Sequence, residues 1–122
     1  MRLLFDSVIL IDHLNGITAA TEYLAKHRQT GAISPITRAE VLTGVAKENE
    51  MLVKMLLDAF TILGLDKETA DLAADLRREH KWKLPDAFQA ALALQHDLKL
   101  ATRNSRDFNP KRHAFVLIPY IL

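Results

Sequence analysis

The chain contains no cysteine, which excludes both disulfide cross-links and thiolate zinc sites. No apolar run approaches the roughly 20 residues needed to cross a bilayer. The N-terminus also lacks the basic, apolar and small-residue segments that form a secretory signal in series. No membrane association is therefore expected, and a cytoplasmic location is. Glycine is scarce, with four residues in all, and nowhere forms a phosphate-cradling loop, which removes the nucleoside triphosphatase and dinucleotide-binding classes. The five histidines (His13, His27, His80, His96, His113) show no paired spacing with a carboxylate that would mark a zinc centre, so packing or surface roles are expected. Internal repeats, low-complexity tracts and glycine/serine linkers are missing too. Charge of one sign is not in excess, with 16 Lys and Arg against 15 Asp and Glu.

What is present is the composition of a folded protein, 49% hydrophobic and 25% charged, in a length suited to one domain over residues 1–122. Short apolar segments alternate with helical patterns. Arg2 to Phe5 reads as a strand running into the helix-start signal Asp6-Ser7. Helices are expected from Val8 to Leu14 and from about Ile17 to Arg28, then a brief strand over Gly31 to Ser34. Ser34-Pro35 supplies an N-cap and first-turn proline for a helix reaching about Lys47. Met51, Leu52, Met55, Leu56 and Ala59 recur at helical spacing between Glu48 and Phe60. Thr61 to Leu65 reads as a strand, Asp66 to His80 as a capped helix, and the segment from Leu84 as a helix apolar all round, hence buried. Leu98 to Thr102 and Phe115 to Ile118 complete the strands. The expected fold is α/β, a three-layer α/β/α arrangement around a mainly parallel sheet of four to five strands.

In such sheets ligands bind beyond the carboxyl ends of the strands, and four acids are placed to meet there: Asp6, Glu40, Asp86 and Asp107. Each has an ordinary explanation when taken alone. Asp6 caps a helix, Asp86 complements a helix dipole, and Asp107 pairs with Asn104 in a capping turn. Glu40 has no such role, because its helical neighbours Ile36, Thr37, Thr43 and Gly44 offer no ion pair. Gly44 costs about 1 kcal/mol of helix stability relative to alanine, which points to a close approach there. Gathered acids resist ionisation unless a cation sits among them, a recipe for a magnesium-type site and phosphodiester chemistry. Setting four acids aside from a net charge of +1 leaves +5 on the remainder, which suits a polyanionic substrate. Arg38, Lys83 and Arg103 lie near the acids in sequence and are the candidate substrate-binding cations. Trp82, between two lysines, either anchors a loop to the core or stacks on a base, and the anchor is the commoner role.

Four stretches carry a family resemblance: Phe5-Asp6-Ser-Val-Ile-Leu-Ile-Asp12-His-Leu14, Ile33-Ser-Pro-Ile-Thr37-Arg-Ala-Glu40-Val-Leu-Thr-Gly44, Leu84-Pro-Asp86-Ala-Phe-Gln-Ala-Ala91 and Ala101-Thr-Arg-Asn104-Ser-Arg-Asp107-Phe108. In order and spacing they resemble the PIN-domain nucleases, specifically the VapC-type toxins of toxin–antitoxin systems. The resemblance implies an endoribonuclease with Asp6, Glu40 and Asp86 as principal catalytic and metal-binding acids and Asp107 as the fourth. Ser7, Thr102 and Asn104 would support them. Val8 departs from the pattern, since a second polar residue often stands at that place. All-oxygen ligands select Mg²⁺, with Mn²⁺ able to substitute. The resemblance further implies a structured RNA substrate such as transfer or ribosomal RNA, a cognate antitoxin and a homodimer. The apolar stripes between Glu48 and His80 are available either to a dimer surface or to the core. The competing classes are a PIN-like module that binds RNA or a partner without cutting, and a phosphoacceptor signalling domain. The latter needs an acidic pair ending an early strand and a lysine ending a late one, where this chain has one acid and Arg103.

Overall fold

A computed structural model describes residues 2–122. Its elements are β1 (Leu3–Phe5), α1 (Ser7–Leu14), α2 (Thr18–His27), β2 (Gly31–Ile33), α3 (Pro35–Thr43), α4 (Glu50–Asp58), β3 (Thr61–Ile62), α5 (Lys67–His80), α6 (Leu84–Gln95), β4 (Lys99–Ala101) and β5 (Val116–Leu117). The five strands form one sheet in the order β3-β2-β1-β4-β5, and every pairing is parallel. The expected layered α/β architecture is therefore present.

The strand sequences explain why the sheet is covered on both faces. Successive side chains of a strand point to opposite sides. Leu4 of β1, Ala32 of β2, Leu100 of β4 and Val116 of β5 pack into one core with α5, α6 and Trp82. Leu3 and Phe5, Ile33 and Ala101 pack into the other, with Ile9, Leu24, Val41 and Leu57 from α1 to α4. Phe5 lies across β2 so closely that a Cβ at Gly31 would stand 2.0 Å from its ring. Only glycine fits that position.

The chain runs outward from β1 through β2 to β3, then returns to the far side of β1 as β4 and β5. The winding direction thus reverses between β1 and β4, the place where open parallel sheets open a crevice at their carboxyl ends. Asp6 follows β1 and Thr102 follows β4, so both stand at that crevice.

Several local expectations are corrected. The helix begun at Pro35 ends at Thr43, not Lys47, with Gly44 as its C-cap. A Cβ at Gly44 would meet only the Val41 carbonyl, at 4.0 Å; the glycine ends a helix and marks no close approach. A 3₁₀ turn over Lys47–Asn49 precedes α4. The apolar stripe of α4, open in sequence to either a surface or the core, lies mainly on the outer side. Val53 and Leu57 are buried, while Met51, Leu52 and Met55 are 76%, 69% and 63% exposed. Helix α6 is buried as expected along Ala87 and Gln89 to Ala93. Among the described residues, no helix is long and apolar enough to cross a membrane.

Candidate active site

Asp6 is the N-cap of α1 and is almost fully buried, 7% exposed. A buried carboxylate must be hydrogen-bonded to persist, and Asp6 is. Its Oδ1 accepts from the Ser7 backbone N–H at 2.9 Å and from the Gln89 amide at 3.3 Å. Its Oδ2 accepts from the Thr102 hydroxyl at 2.7 Å. The capping role and the site role coincide, because the strand end that opens α1 also delivers the carboxylate to the crevice. Ser7 contributes its main-chain N–H here. Thr102 in turn accepts from the Asn104 N–H at 3.0 Å, and Asn104 exchanges hydrogen bonds with Asp107 through Nδ2 (3.1 Å) and Oδ1 (3.3 Å). One chain of bonds therefore runs from Asp6 to Asp107.

Gln89 has a role that sequence reading missed. Its side chain is buried in α6, donates to Thr37 Oγ1 at 2.7 Å and accepts from Ser34 Oγ at 2.7 Å. Thr37 itself donates to the Phe5 carbonyl at 3.1 Å. Gln89 thus ties the first turn of α3 and the end of β1 to Asp6. The available signal was a single amide within the apolar run Ala87 to Leu94.

Asp86 lies in the first turn of α6, half-buried. Burial first, then the negative charges of Asp6, Asp107 and Glu40, push its carboxyl up from 3.8 to about 6, with Lys83 pulling the other way. The other three predicted acids consequently all lie within electrostatic reach of Asp86. Glu40 and Asp107 are exposed, and Glu40 makes neither an ion pair nor a side-chain hydrogen bond among the described residues. The donor chemistry, carboxylate oxygens that repel one another, fits a hard divalent cation. Spacing is a separate matter. Among the described residues, no group of three or more His, Asp or Glu side chains is arranged to hold a metal ion directly. The acids meet as a field of negative charge around Asp86, not as a closed ligand cage.

Of the candidate substrate-binding cations, two have partners. Arg103 binds Asp12 in a fork, Nε to Oδ2 at 2.5 Å and Nη2 to Oδ1 at 2.9 Å, and Tyr120 donates to the same Oδ2 at 2.8 Å. The Arg103 hydrogen bonds hold the Asp12 carboxyl below its ordinary range. Arg103 therefore ties the loop after β4 to α1 and to the C-terminal segment, in place of the free substrate cation expected of it. Arg38 pairs with Asp58 at 2.7 Å. Lys83 is exposed at the N-cap of α6 and in no ion pair among the described residues. Trp82 is the loop anchor. It is buried, its indole N–H donates to the Asp107 carbonyl at 3.0 Å, and His80 lies on its ring.

The sequence profile of the PIN domain matches residues 3–113. Ribonuclease VapC10 of Mycobacterium tuberculosis is 35% identical over 109 residues, covering 84% of this chain and 82% of the relative. A toxin–antitoxin complex from Klebsiella pneumoniae contains a chain that superposes with a TM-score of 0.92 at 38% identity, over 99% of this chain and 100% of the other. FitAcB from Neisseria gonorrhoeae shares the fold, with a TM-score of 0.81 at 24% identity over 99% of this chain and 100% of the other.

Proposed function

The chain belongs to the PIN-domain family in its VapC branch, and we propose from that membership and from the charge gathered on Asp86 that it is a metal-dependent endoribonuclease, the toxin of a toxin–antitoxin pair. The observation that carries the reading is a carboxyl raised to about 6 by burial and three other acids at the crevice of a parallel sheet. That arrangement destabilises its own ionised form and favours a bound cation. Mg²⁺ or Mn²⁺ held by Asp6, Asp86, Glu40 and Asp107 would supply a water of lowered pKa and neutralise charge on the reacting phosphate.

The protein's own groups have separable tasks. Thr102, Gln89 and the Ser7 N–H fix both oxygens of Asp6, so its lone pairs point in a set direction. Asp86 supplies a second carboxylate, whose charge a cation would stabilise against the repulsion of its neighbours. Glu40, exposed and unpaired, would either join the metal-holding acids or, left off the metal, take a proton from the attacking water. Asn104 holds Asp107 in register with Thr102. The route does not use the ribose 2′-hydroxyl as nucleophile, so no cyclic phosphate forms; with the 3′-oxygen as leaving group, products carry 5′-phosphate and 3′-hydroxyl ends.

The proposed partner is a cognate antitoxin, as in the Klebsiella complex. A groove of about 420 Å³ between α1, α3 and α4, lined by Ile11, Leu14, Val41, Val45, Leu52 and Val53, offers it an apolar seat. The exposed Met51 and Met55, on the helix that also carries Leu52 and Val53, leave α4 available to a homodimer surface as well. The absence of a preformed three-ligand cage among the described residues favours one competing reading, a module that binds RNA or a partner without cutting it.

Purified protein with structured cellular RNA separates the two. Cleavage in Mg²⁺ that stops in excess chelator and in Asp6→Asn supports the nuclease. Intact RNA in Mg²⁺ and Mn²⁺, with no Mn²⁺ binding by calorimetry, leaves the binding module.

A further inference from the structure

Next to Asp107, a concavity of about 390 Å³ opens between the end of α5, the turn into α6 and the loop before β5. Its floor is aromatic. The His80 ring lies flat on Trp82, centroids 4.3 Å apart and 21° between planes, and His113 meets both rings edge-on at 5.0 and 5.1 Å. Because Trp82 donates to the Asp107 carbonyl, this floor is fixed to the main chain of a candidate catalytic acid.

The rim is cationic. Lys81, Arg106 and Arg112 all line the concavity and are exposed. None of the three is in an ion pair with a carboxylate among the described residues. Glu79, which also lines it, stands 3.7 Å from His80. Lys81 occupies the left-handed region at φ 64 as the C-cap of α5, a conformation that glycine adopts without cost and lysine does not. Three cations against two lining carboxylates, Glu79 and Asp107, leave the hollow with a formal excess of one positive charge, which a seated anion offsets.

We propose that this pocket seats a backbone phosphate of single-stranded RNA, adjacent to the bond to be cut. Lys81, Arg106 and Arg112 hold the charge, and the His80–Trp82 stack holds the pocket in line with Asp107. The inference rests on the nuclease reading and adds to it the residues that place the strand. An acidic protein segment is the competing occupant.

The test measures binding of a short, fluorescein-labelled, mixed-sequence single-stranded RNA by anisotropy, in chelator so that nothing is cut, across a KCl series. The proteins are wild type, Arg106→Gln/Arg112→Gln, Lys81→Gly, and a control, Lys26→Gln/Arg28→Gln, on the opposite edge of the sheet. The expected result is about tenfold weaker binding for the arginine pair, with the log–log salt slope reduced by about 0.7, the contribution of the one single-strand phosphate that is no longer neutralised. Lys81→Gly reduces the slope by about half as much, and the control changes neither quantity. Melting temperatures confirm that each variant is folded.

Unchanged affinity and slope in the arginine pair overturn the proposal. So does a wild-type protein that binds no RNA, or variants that lose affinity for an acidic peptide while keeping it for RNA. Parallel cleavage assays keep the two readings apart. Cutting in Mg²⁺ with unchanged variant binding refutes the pocket alone. Pocket-dependent binding without cutting in any divalent ion refutes the nuclease alone.

Discussion

Replacing Asp86 with asparagine removes the group on which the local electrostatic cost is concentrated, so it should stabilise the metal-free protein. A carboxyl raised from 3.8 to about 6 is worth at most about 3 kcal/mol against the fold at pH 8, at about 1.4 kcal/mol for each pH unit. Asp86 is only half-buried, so screening by solvent reduces this to about 1 to 1.5 kcal/mol. For a chain of this length that is a rise in Tm of about 4 to 6 °C. The sign follows from linkage. The folded value lies above the unfolded one, so the wild type is relieved of the cost below about pH 4 and bears it fully above about pH 6. The gain in Asp86→Asn should therefore be largest at pH 8 and vanish near pH 4. Thermal melts in chelator at both pH values test this, and a second series in Mg²⁺ adds a contrast. The cation should raise the Tm of the wild type and leave the variant nearly unmoved. A variant less stable than wild type at pH 8 in chelator would refute the reasoning, since the acids would then not be repelling Asp86.

Other substitutions probe the supports. Gln89→Leu leaves the Ser34 and Thr37 hydroxyls and Asp6 Oδ1 short of partners in a buried site, and urea denaturation should show a loss of about 2 to 3 kcal/mol. RNA cleavage by that variant should fall further than its stability explains, because Asp6 loses a positioning bond. Asp12→Ala strands Arg103, which is 30% exposed and able to reach water, so the cost should be about 2 kcal/mol, below that of a fully buried pair. Asp12 is held below its ordinary range, so it stabilises the fold above about pH 4 and loses that effect as pH falls through its lowered value. Acid titration of stability should accordingly be shallower in Asp12→Ala than in wild type. Asp6→Asn should keep its Tm within a few degrees and abolish cutting; native-rate cleavage by that variant would remove Asp6 from the catalytic set.

Much of the site was legible because its parts are written locally. A strand that ends Leu-Leu-Phe and runs into Asp6-Ser7 announces both a parallel-sheet strand and a capped helix, since propensity and capping act over a few residues. The same holds for Ser34-Pro35 and for Asp86 in the first turn of α6. Pairings over long separations were not legible in this way. Arg103 meets Asp12 across 91 positions, and Gln89 meets Asp6 across 83. Nothing in the local pattern of either residue names its partner.

The sequence by itself therefore determined which segments form strands and helices, which faces of the buried elements are apolar, and that Asp6 follows a strand while Asp86 opens a helix. Tertiary structure decided the order β3-β2-β1-β4-β5, which places Asp6 beside Thr102 and brings three charges to bear on Asp86. It also decided that Met51, Leu52 and Met55 face outward and that Arg103 is spent on Asp12. Periodicity records that a face is apolar but not what covers it. A charge has an energy only at the distance the fold imposes.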